Sequence, residues 1–111
     1  MIIARGDIHT RILDRHRVVE LMRATQLRSR EQPGCMYFVF AETLDDPGHF
    51  VVLQQWRDRK SFDEHYRSDA FAAYQAGIGP HLVRSSEMQV LDAGAATIPV
   101  DHGPIEPLQD A

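Results

Sequence analysis

Apolar and polar residues alternate loosely from Ile2 to His9, the period of a β-strand with one face turned inward. The period then changes. Val18, Leu21, Met22 and Thr25 recur at i, i+3, i+4 and i+7, which predicts a helix capped by Asp14 or, in competition, Thr10, and ended by Pro33-Gly34. Cys35 to Thr43 and Phe50 to Arg57 are rich in aromatic and branched residues, and the Pro47-Gly48 pair between them suits a turn that needs a fixed φ and then a positive one. These two runs are expected to form an antiparallel hairpin. Ser61-Phe62-Asp63-Glu64 has the S-x-x-E form of a capping box and predicts a second helix from Ser61. A break is expected near Ser68-Asp69, where Ser68 caps a further segment with Phe71, Tyr74, Gln75 and Ile78 on one face; Gly77, Gly79 and Pro80 close it. Ser85 to Asp92 reads as a last short strand.

The order βαββαβ predicts an α+β, ferredoxin-like domain over residues 1–92, with a four-stranded antiparallel sheet and the helices on one face. Strict alternation along the second strand puts Cys35, Tyr37, Val39 and Ala41 on one face and Met36, Phe38 and Phe40 on the other, so both faces are apolar. Something must cover the face away from the helices. A second copy packed sheet to sheet is the simplest cover, and a two-fold homodimer is expected. Residues 93–111 hold Pro99, Pro104, Pro107 and two glycines with no sustained period, and are expected to form a C-terminal tail docked on the domain or on a partner.

Composition narrows the function. A chain of 111 residues has room for one core, and 43% hydrophobic with 25% charged residues is ordinary for a folded domain. The net charge of −4 makes a nucleic-acid partner a poor expectation. The six arginines between residues 11 and 30, set against Asp14 and Glu20, read as a solvated helix face because they occupy several sides of it. The single Cys35 forms no internal disulfide, and charges within the first seven residues leave no apolar core for a signal peptide or a membrane span. A cytoplasmic protein without a membrane anchor is expected. Six scattered histidines with no HExxH motif, and no Gly-rich loop after a strand, predict neither a metal nor another cofactor.

Glu31-Gln32-Pro33-Gly34-Cys35, Asp46-Pro47, Phe50, Trp56-Arg57-Asp58, Phe62-Asp63 and His65-x-x-Ser68-x-x-Phe71 occur in the order of a known pattern. Over roughly residues 1–92 the chain resembles the antibiotic biosynthesis monooxygenase (ABM) family. The resemblance implies a ferredoxin-like subunit that pairs into a dimeric α/β barrel, with a ligand cavity between sheet and helices. Family members include cofactor-free oxygenases of phenols and hydroquinones, haem-degrading relatives and an isomerase, so fold alone does not set the reaction. This chain has Phe38 where the family often has Tyr, Gln54 where it often has Glu, and Ala70 where it often has a second His.

His65 is the candidate acid-base group, three residues after Phe62 on the core side of its helix. Trp56 shares a strand face with Gln54, and with Phe38 and Tyr74 these are the candidate substrate-binding residues. The expected activity is a cofactor-independent monooxygenase that oxidises a small electron-rich aromatic with O2. The alternatives are an isomerase or other proton-transfer enzyme using the same histidine, and a non-catalytic small-molecule binding module.

Overall fold

The computed structural model describes residues 1–94 and 97–104. Four strands, β1 (Ile2–His9), β2 (Cys35–Glu42), β3 (His49–Trp56) and β4 (Glu87–Asp92), form one antiparallel sheet in the order β2-β3-β1-β4. Three helices, α1 (Arg15–Arg30), α2 (Arg59–Tyr66) and α3 (Asp69–Ile78), complete the βαββαβ arrangement, the second helical region being broken at Ser68 as the sequence predicts. Ser68 accepts the Phe71 N–H at 3.2 Å and so caps α3. The last strand is two residues shorter than the Ser85–Asp92 expected.

The core lies between sheet and helices. Every second residue of β1 and β3 is buried, and Ile2, Ala4, Ile8, Phe50, Val52 and Trp56 pack with Val18 and Met22 of α1 and Phe62, Tyr74 and Ile78 of α2 and α3. Helix α3 comes close to α1 at Gly77, where an added Cβ would lie 3.0 Å from a Leu21 methyl. At the β2 edge α1 supplies the missing ladder partners. Gln26 Oε1 accepts the Phe40 N–H at 3.0 Å and Arg30 Nε donates to the Phe38 carbonyl at 2.9 Å, which closes that edge to another strand.

Three local expectations change. The register of β2 shifts between Cys35 and Tyr37, so Cys35 lies opposite Trp56 while Phe38 lies opposite Gln54. That bulge gives Met36 to solvent and puts Cys35 on the same face as Phe38 and Phe40, toward the helices, where strict alternation had separated them. The outer face of the sheet then carries Tyr37, Val39 and Ala41 of β2 beside Val51 and Leu53 of β3. Secondly, α2 is capped by Asp58, whose carboxylate accepts the Ser61 N–H at 2.8 Å. Ser61 is inside the helix and buried, with Gly34 packed so tightly on it that a Cβ at Gly34 would lie 2.1 Å from its hydroxyl oxygen. Thirdly, Asp14 occupies the N-cap position of α1 after a single 3-10 turn, but its carboxylate is drawn away to Arg11 at 3.0 Å and His81 at 2.9 Å. Thr10 instead donates its hydroxyl to the Gly48 carbonyl.

Of the tail, residues 97–104 are irregular and exposed in the single chain, and the expected docking of residues 95, 96 and 105–111 falls outside the described residues. No described helix is long and apolar enough to cross a membrane.

Candidate functional site

Sheet and helices leave a cavity of about 290 Å3 between them. Tyr66, Phe71 and Tyr74 give it an aromatic wall, and Gln54, Gln75 and Met88 face it from other sides. Gly6 of β1 belongs to its floor; with only hydrogen on its Cα the strand approaches Val52 and the Glu87 carbonyl closely, and a Cβ there would stand 3.2 and 3.1 Å from them. Neither Lys nor Arg lines the cavity among the described residues.

The five residues singled out from the sequence fall into two layers. Gln54 and Tyr74 line the cavity. His65, Trp56 and Phe38 stand behind its wall as one aromatic cluster: the imidazole stacks on the indole with centroids 4.7 Å apart, and meets the Phe38 ring at 5.4 Å and the Phe71 ring at 5.2 Å. Phe71 lines the cavity and meets His65, which does not line it. Burial pushes the Tyr74 phenol above its ordinary pKa, so its hydroxyl keeps its proton.

Helix α2 carries His65 inward because Phe62 and His65 lie on its buried side. The ring is 2% exposed. Its Nδ1 is 2.6 Å from Gln32 Oε1, and since an amide oxygen only accepts, Nδ1–H is the donor and Nε2 carries the lone pair. Among the described residues that Nε2 is buried without a hydrogen-bond partner, as is Ser29 Oγ on α1. Desolvation lowers the imidazole from an ordinary value of 6.5 to about 4, which keeps it neutral near pH 7. A buried acceptor left open is uncommon and costs about 1–3 kcal/mol, so its retention asks for a chemical reason.

Gln54 connects the two layers. Its Oε1 accepts the Trp56 indole N–H at 2.9 Å, which orients the amide, and its Nε2 has, among the described residues, the thioether of Met88 as its partner at 3.7 Å. Sulfur is a weak acceptor, so the amide N–H groups are free to serve an oxygen of a ligand in the cavity. Gln32, the partner of His65, and the wall residues Tyr66, Phe71, Gln75 and Met88 are not among the candidates drawn from the sequence. Phe71 has a sequence signal, its helical spacing to Tyr74; Gln32 stands in the Glu31–Cys35 segment of the family pattern, but its contact with His65 spans 33 positions of chain and has no local signal.

The model of the antibiotic biosynthesis monooxygenase family matches residues 1–77, which contain β1 through all but the last residue of α3 and every residue of the cluster. The chain belongs to this family. Among solved structures, the Mycobacterium tuberculosis protein Rv0793 is 25% identical, with 87% of this chain and 98% of that one covered at a TM-score of 0.78. A Deinococcus radiodurans protein described as a candidate antibiotic biosynthesis monooxygenase shares the fold at a TM-score of 0.85 and 19% identity, covering 91% of this chain and all of that one. An uncharacterized Synechocystis protein is 22% identical over 89 residues, and the chain spans 60% of that relative's length. Membership of the ABM family fits a role in small-molecule binding or monooxygenase-type chemistry.

Proposed function

We propose that this ABM domain is a cofactor-independent monooxygenase acting on a small, neutral, electron-rich aromatic such as a hydroquinone or phenol, and that it works as a homodimer. The observation that carries the reading is the bare, buried lone pair on His65 Nε2. It is a base kept neutral by burial and aimed by Gln32, and removal of the Phe71 ring from its path gives a phenolic proton access to it. The Gln54 amide supplies the donor that holds the phenolate oxygen as charge develops. The aromatic wall and the lack of cationic lining favour a neutral ring over an anionic metabolite.

The substrate provides all the electrons. The phenolate passes one electron to O2, and the two radicals combine to a peroxide on a ring carbon that bears hydrogen; the O–O bond then breaks as that carbon loses its proton, leaving a ring carbonyl with one oxygen atom from O2, while the other departs as water formed with that proton and the one held by His65. His65 takes the phenolic proton at the start and returns it to the leaving oxygen. A dry cavity matters because fixed dipoles then replace solvent around the anion.

The dimer rests on the outer sheet face, where Tyr37, Val39, Val51 and Leu53 stand together and Tyr37 is half exposed. The competing reading is a proton-transfer isomerase, which would use the same lone pair and consume no oxygen. Oxygen uptake with a panel of phenols and hydroquinones separates the two. Uptake above the autoxidation rate, with one atom of labelled O2 in the product, is expected; turnover of a substrate without uptake would assign the isomerase, and saturable binding without turnover a binding module.

A further inference from the structure

Antiparallel pairing places His9 directly opposite His49 at the end of the β1–β3 ladder, although 40 positions separate them along the chain. Their rings stack with centroids 4.2 Å apart and planes at 17°. Asp46, from the turn that precedes β3, joins them, and one ligand atom from each of the three residues lies within 4.8 Å of the other two. Chain spacing gives no hint of this cluster, because cross-strand partners have no fixed sequence separation.

The orientation of His49 follows from a fourth residue. Asp7 Oδ1 lies 2.8 Å from His49 Nε2, and a carboxylate oxygen accepts from an imidazole N–H. Nε2–H is thus the donor, and in the neutral ring Nδ1 keeps its lone pair. That lone pair faces Asp46 Oδ2 at 3.5 Å. Two electron-rich atoms at that separation match the roughly 3.3–3.6 Å between neighbouring ligands of a tetrahedral ion bound at about 2.0–2.2 Å. A carboxylate that grips the far nitrogen of a ligating imidazole is also the usual support of a histidine metal ligand.

From this arrangement we infer that His9, Asp46 and His49 form a site for a divalent transition-metal ion of the Zn2+ type, with Asp7 positioning His49. Two imidazoles and one carboxylate suit a borderline ion such as Zn2+ better than Mg2+ or Ca2+, which take oxygen ligands. Stacked, nearly parallel rings cannot both aim a lone pair at one ion, so the His9 ring turns about its Cβ–Cγ bond on binding. A surface hollow of about 250 Å3 beside His9 and Asp46 gives room for that turn and for a water or anion in the fourth position. Arg11 and Arg84 both line the same hollow, Arg11 being held by Asp14 at 3.0 Å, and Arg5 pairs with Asp7 at 3.0 Å, so Asp46 is the carboxylate that offsets the charge of the ion directly. The site is at the turn end of the sheet; none of its three ligands lines the cavity of Gln54 and Tyr74, which Asp7 does line, and it does not depend on the proposed oxidation.

The test is titration of the purified, metal-stripped, full-length protein in its native assembly with Zn2+ against a chromophoric chelator. One Zn2+ per chain is expected at micromolar Kd or tighter, weakened at least about tenfold by His9→Ala or His49→Ala and by roughly 10- to 100-fold in Asp7→Asn, which keeps all three ligands. His16→Ala, removing a histidine on exposed α1, should leave the affinity unchanged. NMR of the wild-type imidazoles covers the case of an unfolded variant: Zn2+ should shift His9 and His49 and spare His16 and His81. Absence of binding at millimolar Zn2+, or binding that persists in His9→Ala and His49→Ala, or shifts confined to other histidines, overturns the site.

Discussion

Trp56 donates its indole N–H to Gln54 Oε1 at 2.9 Å, two residues back on the same face of β3, and both side chains are buried. One bond thereby fixes the amide that faces the cavity and satisfies the one polar atom of the most deeply buried large side chain. Gln54→Leu removes the acceptor and leaves the indole N–H unpaired, which should cost about 1–3 kcal/mol in urea unfolding. The same variant loses the donor offered to ligand, so affinity for a bound phenol should fall by roughly tenfold in a calorimetric titration. Unchanged ligand affinity in a folded Gln54→Leu protein would remove Gln54 from the binding residues.

Gly34 and Ser61 give a sharper packing test. Gly34 has φ +81°, and a Cβ on it would sit 2.1 Å from Ser61 Oγ and 2.5 Å from Ser61 Cβ. Gly34→Ala should therefore destabilise by about 2–4 kcal/mol, from a backbone conformation that costs an L-residue about 1–2 kcal/mol plus the overlap. Adding Ser61→Gly clears both overlapping atoms and should recover only the overlap part, measured as the urea midpoint of the double variant.

Stability should also fall with acid through His65. The folded-state value of about 4 lies below the 6.5 of a free imidazole, so between these values the unfolded chain binds a proton that the folded chain refuses. Stability from this group is complete above pH 6.5 and is lost as pH falls through 4, by about 3 kcal/mol in all. Melting temperatures across that window should drop more steeply in wild type than in His65→Phe, and parallel curves would show that His65 is not buried neutral.

The sheet faces assign the assembly test to particular residues. Leu53→Asp on the outer face should leave a folded monomer of 12.6 kDa where wild type scatters as about twice that mass. Phe38→Asp, which places a charge among Trp56, Phe40 and His65, should instead fail to fold. A wild-type monomer at micromolar concentration would contradict the dimer.

Much of this molecule is written in local patterns. The periods of Ile2–His9, of α1 and of the two hairpin strands, and the cap at Ser68, depend on near neighbours and were readable along the chain. What depends on distant partners was not. The bulge at Met36 follows from fitting Cys35 opposite Trp56, and Ser61 lost its cap role to Asp58 because the helix starts two residues earlier and Gly34 needs the small side chain inside. The site divides the same way: His65, Trp56 and Phe71 are visible as types at a spacing, whereas the contact of Gln32 with His65 exists only in the packed fold and the His9–His49 pair only once the sheet register is set.

Whether the open nitrogen of His65 is a working base is decided by turnover and the urea midpoint measured on one His65→Ala sample. Oxygen uptake per folded chain should fall by roughly 10²- to 10⁴-fold, while light scattering still reports the wild-type assembly. Turnover per folded chain equal to wild type, with only the urea midpoint displaced, would contradict the account and reduce His65 to a packing residue.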